Sequence, residues 1–112
     1  MSWLNDAEVK TVEDQQIAAL EAVKQNITSA VQKHMDETAK ERNFDDILSL
    51  CTYATSAKPK FKAEGQAGVE WRDNVWLYCY AELDKVIAGE RGTPTTQELI
   101  DEIPVFTWPE VT

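Results

Sequence analysis

The side chains with chemical potential are few, and their spacing limits what they could do. His34 is the only histidine. On the apolar side of a helix it could ligate a metal or act as a general base. With no second histidine and no nearby cysteine, a metal site would have to be completed by carboxylates alone, and a partly buried, hydrogen-bonded structural histidine is the reading that follows. Cys51 and Cys79 fall at apolar positions of predicted helices, where cysteine behaves as a small hydrophobe. Two such residues form neither a disulfide framework nor a CxxC metal pair, so reduced core thiols are expected, with a chance disulfide if their helices pack together. Arg72 stands in an apolar stripe and calls for a carboxylate partner, Asp45 or Asp46, or a stacked aromatic; anion binding is the functional alternative. No GxSxG, phosphate-cradling glycine loop or Cys–His pair is present. The carboxylates recur at helix-surface spacing and read as a solvated face rather than an acid/base pair. No enzyme activity, metal or cofactor is expected.

Charge and composition narrow the classes further. A formal net charge of −9 gives a nucleic acid no basic surface to displace its counterions. Lys58, Lys60 and Lys62 form the one basic cluster, and its interleaving with Pro59 and Phe61 reads as a solvated loop. No apolar run approaches the ~18 residues of a membrane span. The first residues, MSWLNDAEVK, lack the basic and apolar regions of a secretory signal, which points to the cytoplasm or an assembly built there. An apolar share of 43% with four tryptophans argues for a folded chain, and 112 residues for one domain.

Helices must position these residues. From Val12 to about Arg42, Ile17, Leu20, Val23, Ile27, Ala30, Val31, Met35 and Thr38 recur at steps of three and four without Pro or Gly. A helix of ~30 residues spans about 45 Å, longer than a small domain needs, so its amino half is expected to project and pair with another copy or a partner. Residues 1–11 are expected to be irregular, and 12–112 to form a single helical domain. A short helix, Asp45 to Ala54 with Asn43 as N-cap, follows, then a loop around Pro59. The central helix begins near Phe61 and ends at Gly89. Its stripe runs Gly65, Gly68, Val69, Arg72, Val75, Trp76, Cys79, Leu83, Val86 and Ile87, with Trp71, Leu77, Tyr78 and Tyr80 off it. A helix apolar nearly all round is packed on more than one side, and Gly65 and Gly68 predict a close helix crossing. Thr95 and Glu98 form a capping box opening a short helix to Glu102, which Pro104 ends. The architecture is all-α: a long helical hairpin with a short intervening helix and a C-terminal helical turn. Trp71, Arg72, Val75, Trp76, Cys79 and Leu83 are the expected core. Trp3, Leu4, Ile17, Leu20, Phe106 and Trp108 are the candidate partner contacts, the tail lying across the bundle or reaching a neighbour.

Three ordered segments carry a resemblance: NFDDILSLCTYATS, KFKAEGQAGVEWRDNVWLYCYAEL and GTPTTQELIDEIP. Together they resemble a module of small tailed-phage and prophage proteins encoded in the tail and tail-fibre region. The match runs from about Gln32 to Thr107 and leaves the first 25 residues without a counterpart. It offers no catalytic residues to carry over, and Trp71, Arg72, Trp76 and Tyr80 read equally well as determinants of the core. The resemblance implies a non-enzymatic, tail-associated protein acting by protein–protein contact, as a minor tail or fibre component or as a tail-fibre assembly chaperone. Its partner would be a phage tail or tail-fibre protein, with self-association through the long N-terminal helix, and neither nucleic acid nor membrane. Its place would be the host bacterial cytoplasm during assembly, or the virion tail. The alternative is an acidic regulatory module that binds and blocks a host or phage protein.

Overall fold

The computed structural model describes the backbone of residues 2–110, with side chains from residue 18 onward and that of Gln15. The fold is all-α, and no strand occurs among the described residues. Helix α1 spans Ser2–Lys40, α2 Ile47–Cys51, α3 Pro59–Ile87 and α4 Thr96–Glu102, with a 3-10 turn Thr52–Thr55 between α2 and α3. The α1 backbone is thus helical from Ser2, ten residues before the expected start. None of residues 2–11 is Gly or Pro, so nothing in the sequence breaks the helix there. Its 39 residues span about 58 Å. The radius of gyration, 19.3 Å, exceeds the about 13 Å of a compact chain of this size. The molecule is a rod with a long α1, not a ball.

Asn43 corrects the expected capping. It has φ 70° and sits after α1, where its N–H donates to Lys40 O at 3.0 Å and that of Phe44 to Ala39 O at 3.3 Å. That pairing closes a helix with a left-handed residue, which Asn tolerates better than most. The N-cap of α2 is instead Asp46, whose carboxylate accepts from the Ser49 N–H at 2.7 Å. Asp36 of α1 accepts from the Ile47 N–H at 3.0 Å, so an acid of one helix satisfies an orphan donor of the next. Only five residues of the expected α2 are α-helical; the chain then tightens into the 3-10 turn.

Pro59 opens α3 rather than lying in the preceding loop, because a residue with fixed φ and no N–H suits a first helical position. Gly89, φ 76°, ends α3 by the same motif as Asn43: its N–H reaches Val86 O at 3.1 Å, and that of Glu90 reaches Lys85 O at 2.9 Å. The glycines mark the predicted crossing. A Cβ on Gly65 would overlap the backbone of Tyr53 and Ala54, and one on Gly68 would lie 2.9 Å from Leu50 Cδ2. The 3-10 turn therefore seats directly on the α3 backbone. The α4 capping box forms as expected: Thr95 Oγ1 accepts from the Glu98 N–H at 3.1 Å and Glu98 Oε1 from the Thr95 N–H at 3.3 Å.

The buried apolar core comprises Val31, Met35, Ala39, Ile47, Leu50, Trp71, Val75, Leu99 and Ile103. On α3 the buried face runs Glu64, Gly68, Trp71, Val75 and Glu82, which is rotated from the expected stripe. Trp71 is inside, whereas Val69 and Ile87 are exposed, as are Leu77 and Tyr80. The helix is thus packed mainly on one face, not on several. The tail crosses the bundle: the Trp71 indole N–H donates to Pro104 O at 2.7 Å, and Phe106 packs on the Trp71 ring, 4.9 Å between centroids. Trp108 continues the array against Phe106 and Phe44, under the guanidinium of Arg42 at 5.0 Å.

Candidate binding groove

Helices α1 and α3 run antiparallel. Arg42 pairs with Glu64 at 3.1 Å, and His34 meets Trp71 edge-on, 6.2 Å between ring centroids. Toward the amino end of α1 the helices leave a gap between them. That gap is an open apolar cavity of about 350 Å³, within the size range of ligand sites. One wall is Leu20, Val23 and Ile27 of α1; the other is Trp76, Cys79, Leu83 and Val86 of α3; Pro94 and Leu99 close one side. Helical periodicity aims each wall inward, since residues three and four apart share a face. Three of the six expected core residues, Trp76, Cys79 and Leu83, are half-buried wall residues of this groove. Trp71 and Val75 are buried as expected, and Arg72 is half-buried.

A polar clasp holds the segment that closes the groove. Arg91 Nη1 donates to Glu82 at 2.6 Å and to Glu102 at 2.7 Å, and its Nη2 also bonds Glu102. The Tyr78 hydroxyl donates to Glu102 at 2.7 Å, and Lys85 to Glu82 at 2.9 Å. Hydrogen bonds from Arg91, then Tyr78, lower the Glu102 carboxyl to a pKa of about 2. Those from Lys85 and Arg91 lower that of Glu82, and the bond to Glu102 raises that of Tyr78. The clasp ties the end of α3 to α4 across the connection carrying Thr93 and Pro94, so it fixes the groove's far side. Nothing in the sequence reading singled out Arg91, Glu82 or Glu102. The available signal was Glu82 itself, an acid at helical spacing from Val75 and Trp71.

The other reactive groups are dispersed. His34 is half-buried against Trp71. Both cysteines are free and half-buried. Burial pushes the Cys79 thiol up to about 11, so it is protonated at neutral pH and a poor nucleophile. Burial also raises Cys51, opposed by the adjacent Arg72 guanidinium. Among the described residues no ion pair joins Arg72 to Asp45 or Asp46, and the Asp46 carboxylate instead caps α2. Nor, among the described residues, is there a group of three His, Cys, Asp or Glu side chains placed to hold a metal ion. No described helix is long and apolar enough to cross a membrane.

Of the candidate partner contacts, Leu20 lies at the groove and is 38% exposed. Phe106 and Trp108 are half-buried on the chain's own core. The side chains of Trp3, Leu4 and Ile17 lie outside the described residues. Comparison of the chain with protein-family models, curated proteins and solved structures returns no match.

Proposed function

We propose that this chain is a non-enzymatic, tail-associated protein of a tailed phage or prophage, working by protein–protein contact. The tail-region assignment comes from the ordered motifs around Phe44, Trp71 and Pro94. The contact mechanism is carried by one observation, the open apolar groove between α1 and α3. The support is its shape and lining: a concave, mostly apolar cleft between two helices is the form that binding sites take. The partner on this reading is a tail or tail-fibre protein, met in the host cytoplasm during assembly or in the finished tail.

Mass spectrometry of purified particles from an induced lysate tests the assignment. Stoichiometric presence makes the chain a tail component. Absence from particles together with co-purification of fibre protein makes it an assembly chaperone. Absence from particles with capture of a host protein alone overturns the tail assignment in favour of an acidic regulatory module.

A further inference from the structure

The apolar surface does not stop at the groove's walls. Tyr80 on its rim is 61% exposed, Ile87 farther along α3 is 64% exposed, and Leu20, 38% exposed, lines the same groove from α1. A small apolar ligand would fill the cavity and leave that extended surface wet. A rod laid along the groove would cover it. The register set by Arg42 opposite Glu64 places Ile87 opposite about residue 19 of α1, so α1 runs about 25 Å past the end of α3. A third helix seated between α1 and α3 would cover the exposed Tyr80, Ile87 and Leu20.

Charge decides which helix. The elements that wall the groove present Glu21, Asp84, Glu90 and Glu98 to solvent. Against them stand Lys85 and Arg91, already bound to Glu82 and Glu102, and Lys24 on the groove's lining. A second copy would bring its own charge of −9 and the same exposed acids to the interface. Like-charge juxtaposition opposes that association and favours a cationic partner. We infer that the groove takes an amphipathic α-helix of another protein, its apolar stripe in the cavity and its flanks lined with Lys or Arg. The inference rests on the partner-contact reading above and specifies the chemistry of that partner.

The probe is a labelled synthetic peptide of about 18 residues, about 27 Å as a helix, with a leucine stripe and lysine flanks. Its control carries glutamate flanks on the same stripe. Fluorescence anisotropy with the full chain should give at least about ten-fold tighter binding of the lysine peptide, weakening as salt rises. The double variant Leu20→Ser, Tyr80→Ser should lose that binding at an unchanged circular dichroism spectrum. Leu48→Ser, at a 58% exposed position of α2 away from the groove, should keep it. Equal binding of both peptides, or binding that survives the double variant, overturns the inference. So does displacement of the peptide by stoichiometric decanoate, which would make the groove a small-ligand site. Sedimentation of the free chain as a dimer rather than at 12.7 kDa, reversed by the double variant, would assign the groove to a second copy. The two readings fail separately: fibre association that the lysine peptide does not compete sinks only the inference. Peptide binding without any tail association sinks only the tail assignment.

Discussion

The same two helices build both ends of this molecule, and the ends differ. Around Met35, Ala39, Leu50 and Trp71 the space between α1 and α3 is filled by α2, the 3-10 turn and the tail. Around Leu20, Ile27, Leu83 and Val86 none of the described residues fills it. Apolar periodicity continues unchanged from one end to the other. What changes is the supply of covering elements: the α1–α3 connection folds back over the closed end, whereas the short α4 and its connection cover only one side of the open end. Uninterrupted apolar patterning in a helix therefore marks a surface that must be covered. It does not say whether the cover belongs to the same chain.

Substitutions at the closed end should cost most. Gly65→Ala forces a methyl into the backbone of the 3-10 turn, so the crossing must open. A loss of about 3 kcal/mol or more is expected in urea unfolding, despite the ~1 kcal/mol that alanine gains in helix propensity. Met35→Ala, at a fully buried position, should cost about 2–5 kcal/mol by the same measurement. Trp71→Phe removes the donor to Pro104 O and should cost about 1–3 kcal/mol while loosening the tail, read as faster proteolysis of residues 104–110. At the open end, Leu20→Ala should change stability by no more than about 0.5 kcal/mol, since the side chain is partly exposed and no described residue covers the groove. A large loss there would break the contrast.

The clasp gives the comparison a pH handle. Glu102 has its folded pKa lowered from 4.5 to about 2, so its contribution to stability is fully present above 4.5 and is lost as pH falls toward 2. Arg91→Ala should flatten the stability profile across that window and leave it unchanged in shape near neutrality. Glu102→Gln should flatten it likewise. A profile as steep in either variant as in the parent chain would remove the clasp from the account.

Much of the fold could be read from residues alone. The α4 capping box, the helix stop at Gly89 and the crossing at Gly65 and Gly68 all depend on local chemistry that a sequence displays. The polar residues Asn5, Asp6 and Glu8 mask the absence of any breaker, which is why apolar periodicity puts the start of α1 too late. Asn43 suits both an N-cap and a left-handed C-terminal position, so its residue type alone does not say that it closes α1 rather than opens α2. The α3 face was rotated because Glu64 and Glu82 look like solvent-facing acids. Their burial, Glu64 at 2% exposure, depends on Arg42 and Arg91, partners 22 and 9 residues away. The groove was illegible for the same reason in reverse: Trp76, Cys79 and Leu83 have core chemistry, and only the three-dimensional arrangement reveals that the chain leaves them half open.

The most direct measurement is co-purification from an induced lysate, with the full chain and its Leu20→Ser, Tyr80→Ser variant as parallel baits and tail and fibre proteins quantified by mass spectrometry. A tail or fibre protein should be retained by the parent chain and reduced by at least about ten-fold with the variant, a loss of about 1.4 kcal/mol or more in affinity. Equal retention by both baits would contradict the groove as the contact surface, and retention of no tail protein by either would contradict the function itself.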